Sequence, residues 1–369
     1  MRGPRRTSPP RSPAWEREMT TTTATTDPVA EAADHLHATG LRNQWYPVLP
    51  SHFVANGEMK RVVRLGEPWL LFRRPTGELH MIADRCPHRS APLSLGQHLG
   101  DRVACLYHGV QVDGEGTVVK VPGLPGCNLE GKRLVTSLPV REEHGAVFAW
   151  FGDEAHPEPA PLVLPERLTD PDTAGFLNYA EWGAPWRFYI DNVLDPMHGA
   201  FLHGTSHSMA GGAKSARFRI RETGHGFFFE KTDQVGVNFD WVEFGRTGVD
   251  WVDLEIPYQP YAGPGGAFGI VGMVTPITAT ESAIFHWRTR AVQGWERDSW
   301  RFLYRMTLEA RHHEVLEQDR TMLEEMPEDA DTGENLYQHD LGVVRIRRMY
   351  RADAARQAAE LAAHRGEAG

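Results

Sequence analysis

The sequence predicts an α+β protein of two domains, an all-β domain followed by a larger mixed one. Three observations predict it: the length, the crowding of short β-type runs before residue 152, and a proline-rich break beyond which helical and strand periods alternate. A chain of 369 residues exceeds what one small core usually serves. Its hydrophobic fraction of 41%, with 11 tryptophans, is enough to fill two cores.

In the first half, runs at 45–49, 61–65, 69–72, 80–83, 103–107 and 146–151 are rich in β-branched, aromatic and aliphatic residues. Turn residues separate them, as in small sandwiches and barrels. Pro157, Pro159, Pro161 and Pro165 then forbid any regular element, which places a boundary near residue 155 and a first domain over 39–155. In the second domain, 156–350, helix-like stretches at 186–203 and 307–326 bracket a strand-rich middle. Phe227 alternates with Phe229 and Phe285 with Trp287, and the glycine-rich run 265–275 reads as a tight strand. The tail carries Ala, Leu and Arg at helical density over 342–365 and is expected to cover the surface or a neighbouring subunit, with 351–369 set apart as a terminal helix. Residues 1–38 are expected to lie outside the fold. They hold an Arg, Pro and Ser-rich start and a threonine tract after Met19, and no apolar stretch follows Arg5-Arg6 to make a twin-arginine signal.

Composition excludes several roles. No run approaches the roughly 18 apolar residues of a membrane helix. A net charge of −10 weighs against nucleic acid as partner. Three cysteines cannot build a disulfide framework, so the chain reads as cytoplasmic, with any cysteine cluster serving a metal. No glycine-rich nucleotide fingerprint is present, so nicotinamide and flavin sites fall to another protein.

The first chemical constellation is Cys86-Pro87-His88 followed by Cys105-Leu106-Tyr107-His108. A Rieske [2Fe-2S] centre needs two thiolates on one iron and two imidazoles on the other, so each of two loops supplies one of each. Structural zinc, the alternative, more often pairs Cys with Cys and His with His. Cys127 reads as structural. Imidazole in place of thiolate raises the cluster potential, which suits delivery of electrons to an oxidising site.

The second constellation lies in 191–203, where Asp195 precedes His198 by three residues and His203 follows by five. Two histidines and one carboxylate on one face of an iron leave positions open for O2. A spacing of five turns the histidines about 140° apart on an ideal helix, so the segment must loosen near Gly199 and His203 to bring them together. The third ligand must come from elsewhere. On a helical reading of 309–326, Asp319 shares a face with Val315, Leu316, Met322, Leu323 and Met326, while Glu314, Glu317, Glu324 and Glu325 lie opposite. A carboxylate on an apolar face needs a partner, and Fe(II) is a good one; an arginine or main-chain partner is the alternative. His207, His312 and His313 are not counted as ligands, although His312 shares the face of Asp319.

Cys86-Pro87-His88-Arg89 and Tyr107-His108-Gly109 resemble the two cluster loops of the Rieske non-haem iron oxygenases, with Ser90 in place of the usual glycine and Val110 in place of an aromatic. The stretch 316–320 resembles the family's carboxylate-bearing helix, and 41–48 and 300–318 are most similar to the homotrimeric branch of carbazole dioxygenases and aromatic demethylases. The resemblance implies a Rieske domain followed by a helix-grip, START-like catalytic domain. It implies a [2Fe-2S] cluster on Cys86, His88, Cys105 and His108, and a mononuclear Fe(II) on His198, His203 and Asp319. By it, Asn192 stands beside the iron, and Asp195 is not a ligand but a bridge from His198 or His203 to His108 of the next subunit. It implies a head-to-tail homotrimer, with or without a small β subunit. Electrons would come from a ferredoxin or flavin-dependent reductase, and O2 would attack a flat aromatic or heteroaromatic compound, by hydroxylation or demethylation. An electron carrier or a lipid-binding module of similar shape is the reading from another class.

Overall fold

The computed structural model describes residues 27–205, 214–233, 240–258 and 266–368. His207 lies outside them. From Gln44 to Phe151 the described chain is built on β-strands, with no α-helix among them. The strands Gln44–Pro50, Ala146–Phe151 and Val140–Glu143 make one antiparallel sheet. A second contains Met59–Arg64, Glu67–Arg73, Leu79–Ala83 and Ser137–Leu138, and a third contains Gln97–His98, Arg102–Ala104, Gln111–Asp113 and Val118–Lys120. In Glu67–Arg73 the pleat sends successive side chains to opposite faces. Trp69 and Leu71 fill one core, while Leu70 and Phe72 fill another that also holds Cys86 and Cys105. The strand reads as an unbroken apolar run because both of its faces are covered.

Beyond residue 172, seven antiparallel strands form one sheet in the order Thr173–Trp182, Ser282–Ala291, Gly266–Pro276, Asp250–Tyr258, Trp241–Arg246, Gly226–Lys231, Phe218–Glu222. The helices Trp186–Val193, Gly199–Leu202, Gly294–Leu303 and Glu309–Glu324, with a π turn over Tyr304–Leu308, join Leu341–Ala368 to complete the α+β domain. No described helix is long and apolar enough to cross a membrane.

The prolines of 157–165 do break the chain, since no helix or strand lies between Phe151 and Glu166. The two halves nevertheless share a core. Trp45, Phe148 and Trp150 pack with Trp251, Phe285 and Trp287. The tip of the first hairpin, with Leu65 and Gly66 both at positive φ, donates its N–H groups to the carbonyls of Pro276 and Ile277 at 2.8 and 2.9 Å. This primed turn follows the twist of its strands and also sets the cluster domain against the sheet.

The N-terminal expectation needs correction. Residues Pro28–Thr39, placed outside the fold by the sequence reading, form a helix capped by Asp27, whose Oδ1 accepts the Val29 N–H at 3.0 Å. It packs on Leu341–Ala368, so the tail covers this chain's own first helix. Gln357 fixes the junction by bonding both the N–H and the carbonyl of Arg42 at 2.8 Å. That long helix is held to the sheet by Arg246, which bonds Asp250 at 2.7 Å and also Asp353. Exchanging Arg246 for methionine leaves the mostly buried Asp250 without its cation and Asp353 with Arg356 alone, and is expected to cost about 3 kcal/mol of unfolding free energy in a denaturant titration.

Candidate metal centres

Two loops present the Cys and His residues of the first half, and they have the same local geometry. In one, Cys86 N–H donates to Ala91 O and Ser90 N–H to Cys86 O, at 2.8 and 2.9 Å. In the other, Cys105 N–H donates to Val110 O and Gly109 N–H to Cys105 O, at the same two distances. Each loop closes on a residue in the left-handed region four positions after its cysteine: Gly109 at φ 73 and Ser90 at φ 56. A side chain is tolerated at residue 90, although that conformation favours glycine. Asp84, which the sequence reading passed over, is 4% exposed and ties down the first loop by accepting the Ser94 N–H, the Ser94 hydroxyl and Arg61 Nε at 2.7, 2.7 and 3.0 Å.

Both cysteines are buried, and burial pushes the Cys86 thiol up from its ordinary value. His88 and His108 are exposed, with ring centroids 4.7 Å apart. Inward thiols and outward imidazoles fit a Rieske centre, whose histidine-bearing iron then faces the surface. Cys127 stands apart in a turn, half-buried.

The second constellation converges as its chemistry requires. Helix Trp186–Val193 ends at Leu194, a turn carries Asp195 to His198, and one short helix, Gly199–Leu202, separates the histidines. The loosening expected near Gly199 and His203 is this break. His198, His203 and Asp319 bring one ligand atom each to within 4.8 Å of one another. Asp319 Oδ1 lies 3.6 Å from His198 Nε2 and 3.2 Å from His203 Nε2. Both Nδ1 atoms are engaged on the far side: His198 Nδ1 donates to the Asp195 main-chain carbonyl, and His203 Nδ1 to Gln318 Oε1 at 2.8 Å. A carbonyl can only accept, so each ring carries its proton on Nδ1 and turns the Nε2 lone pair toward Asp319. Three such donors fit a mononuclear iron with a side left open.

Asn192 Nδ2 donates to Asp319 Oδ1 at 3.2 Å, which places it beside the ligand set. Asp195 departs from expectation. Its carboxylate accepts the Met197 N–H at 2.8 Å, and it is its carbonyl, not its carboxylate, that holds His198. The tight turn brings the main chain under the imidazole first. His312 packs its ring against Phe268 at a tilt in the cavity wall, while His313 is exposed on the outer face. Met322 is 51% exposed, so only part of the expected apolar face of Glu309–Glu324 is covered. Gln318 was missed: its neighbour on the helix was read as the ligand, but nothing in the sequence marks it as the partner of a histidine 115 positions away.

The three ligand residues line a cavity between the sheet and the helices, with about 650 Å³ of empty space that includes its opening to solvent. Val252, Leu254, Phe268 and Ile270 give it apolar walls, and Tyr189, His286, Arg288 and His312 add polar groups.

Residues 44–139 match the Rieske [2Fe-2S] domain, and residues 182–356 match the vanillate O-demethylase oxygenase C-terminal domain. The chain belongs to the Rieske non-haem iron oxygenases. Among characterised Rieske oxygenases and their relatives, it is 36% identical over 168 residues to chlorophyllide a oxygenase of Chlamydomonas reinhardtii, covering 44% of this chain and 25% of that protein. It is 35% identical over 167 residues to the iron-sulfur subunit of the toluene-4-sulfonate monooxygenase system of Comamonas testosteroni, covering 45% and 47%. The matched stretch thus spans less than half of each relative. In fold, this oxygenase resembles the terminal oxygenase of carbazole 1,9a-dioxygenase from Nocardioides aromaticivorans, with a TM-score of 0.70, 24% identity, and 90% and 99% of the two chains covered. A Rieske domain implies a [2Fe-2S] cluster, and this oxygenase family uses a mononuclear iron at its catalytic site.

Proposed function

We propose that this chain is the terminal oxygenase of a multi-component system that oxidises an aromatic or heteroaromatic compound with O2. The observation that carries the reading is the cavity itself: the convergent atoms of His198, His203 and Asp319 stand in the wall of a largely apolar chamber. Iron held there supplies O2 activation. The chain's own residues do the rest. Val252, Leu254, Phe268 and Ile270 take a flat ring out of water, and the Nδ1 bonds of the two histidines keep both imidazoles aimed.

Electrons from a separate NAD(P)H-dependent reductase, directly or through a ferredoxin, enter at the exposed edge of the cluster, where His88 and His108 face outward. Solved complexes of carbazole 1,9a-dioxygenase oxygenase with ferredoxin share the fold, with a TM-score of 0.71, and support that route. A head-to-tail homotrimer would place the cluster of one subunit near the iron of the next. A chain with three cysteines, two of them placed to hold a cluster, suits the reducing cytoplasm. Oxidative O- or N-demethylation is the second reading, favoured by the match of residues 182–356 to a vanillate O-demethylase domain.

The test is turnover of the iron-loaded protein with a surrogate reductase and a panel of arenes and methyl ethers, following O2 and product together. The protein should be red-brown, give a Rieske-type EPR signal when reduced, and couple O2 uptake to a phenol, a diol, or a phenol with formaldehyde. A Rieske signal with no substrate-dependent O2 uptake over the panel would make it an electron carrier. Colourless protein with stoichiometric zinc would remove both readings.

A further inference from the structure

Arg347 is absent from the described lining of the iron cavity, yet it is bonded to both of the chain segments that lead to the metal site. It stands on the long helix Leu341–Ala368, which packs along helix Trp186–Val193. Three contacts fix the register. Tyr350 meets Trp186 edge to face with ring centroids 4.7 Å apart, Ile346 and Ile190 share one core, and Gly342 lies against the Leu194 carbonyl, where a Cβ would stand 3.2 Å from the oxygen. Steps of four residues fall on one helix as they rise on the other, so the two run antiparallel, turn against turn, up to the start of the histidine turn.

Polar contacts join these helices to a third element. Arg347 Nε and Nη2 donate to Asp191 Oδ2 at 2.9 and 2.7 Å. Nη2 also donates to Glu334 Oε1 at 2.7 Å, and Nη1 bonds the other oxygen of that carboxylate. Glu334 lies in the segment that leaves helix Glu309–Glu324, which carries Asp319. Two more bonds tie the exit of that helix to the opposite end of Trp186–Val193: Arg187 donates to the Glu328 carbonyl at 2.7 Å, and Gly183 N–H to Glu324 Oε1 at 2.8 Å. The residue after Asp191 is Asn192, which donates to Asp319 Oδ1 at 3.2 Å.

An ion pair this well covered returns little net stability, because desolvation offsets most of the attraction. The side chains of Asp191, Arg347 and Glu334 are only 15, 17 and 22% exposed. What such a group contributes is position. Two carboxylates on their own repel, and the planar guanidinium, with donors fixed in direction, holds both. Burial pushes the Asp191 carboxyl up to about 6 even beside Arg347, so it depends on that cation to stay charged.

We infer that Arg347 is a positioning residue of the iron centre: by holding Asp191 and Glu334 together it fixes the end of helix Trp186–Val193 against the Asp319 helix, and so keeps Asn192 on Asp319 and that carboxylate aimed at the metal. The inference rests on the reading of His198, His203 and Asp319 as the iron ligands, and adds to it a residue that touches none of them.

Anaerobic release of mononuclear Fe(II) to a ferrous chelator tests it, with the Rieske EPR signal and far-ultraviolet circular dichroism as measures of an intact fold. Arg347→Met, Asp191→Asn and Glu334→Gln are combined so that no buried charge is left alone. This neutral variant should release iron about ten-fold faster than the wild type, the loss expected when a partner of a metal ligand is displaced. Asn192→Ala should speed release to a similar degree, and combining it with the neutral variant should add less than about two-fold, because both act on one contact. Arg246→Met loosens the same long helix at Asp353 and should leave the rate within about two-fold, since it reaches neither Asp191 nor Glu334. Arg347→Lys keeps the charge but not the fork and should release iron about three-fold faster; it decides the question where the neutral variant does not fold. Release at the wild-type rate from folded variants, full additivity with Asn192→Ala, or equal acceleration in Arg246→Met would overturn the inference and leave the iron site standing. A wild-type protein that binds no iron beyond its cluster would overturn both together.

Discussion

Asp319→Ala is expected to empty the mononuclear iron site and lower turnover by at least about a hundred-fold while the Rieske EPR signal keeps its full intensity. Loss of a partner that merely orients a metal ligand costs roughly 10- to 100-fold in metal affinity or activity, so loss of a ligand should cost more. Asp319 is 8% exposed on a helix whose other acids look outward, and both histidine Nε2 atoms converge on its Oδ1. Its removal leaves two neutral imidazoles, which hold Fe(II) weakly, and strips Asn192 of its acceptor. The cluster loops hang on a separate core and share no residue with this helix. Iron analysis should fall from two kinds of iron to the cluster pair alone. A variant with full mononuclear iron and full turnover would move the third ligand elsewhere; Glu317, which bonds Arg320 at 2.8 Å on the outer side, would need the helix to turn.

The parts of this site that could be read from sequence are those in which chemistry is written into contiguous residues. Cys86 with His88 and Cys105 with His108 each lie on one loop, and His198 and His203 flank one short helix, so spacing and residue type alone mark them. Asp319 required a helical phase, and that phase holds because Glu309–Glu324 is a helix with Leu316, Asp319 and Leu323 buried. Met322 fails the same rule: it flanks the buried stripe, and no described element covers it. Pairings between distant elements left no mark. Gln318 meets His203, Tyr189 meets His286, and Gly272 leaves space for both of the latter, but each is ordinary in its own segment. A glycine within a strand points to a close approach without saying what approaches. The helix Pro28–Thr39 had a legible start in Asp27-Pro28, yet its stability comes from Leu341–Ala368 at the other end of the chain.

Asp195→Asn is expected to leave both metal sites loaded and to slow electron transfer between them, with turnover lower by about a hundred-fold. The geometry makes this substitution selective. His198 is held by the main-chain carbonyl of residue 195, which the change does not touch, and an asparagine oxygen can still accept the Met197 N–H. Iron should therefore stay bound. What changes is the outer oxygen of a half-buried carboxylate, which becomes an amide donor and loses its charge. If that oxygen accepts the outer imidazole proton of His108 from the next subunit, the change breaks the contact between cluster and iron and nothing else. Stopped-flow oxidation of the reduced cluster in the presence of O2 and substrate should show the delay directly. Mixing Asp195→Asn subunits with His108→Ala subunits then tests the direction of the link. In a head-to-tail ring, some junctions join the intact His108 of the first variant to the intact Asp195 of the second, and those junctions should recover activity above the sum of the separate variants. A link inside one subunit has no such junction. No recovery, with mixed assemblies confirmed by native mass spectrometry and iron retained at the unmutated sites, would rule out transfer through Asp195 across a subunit boundary.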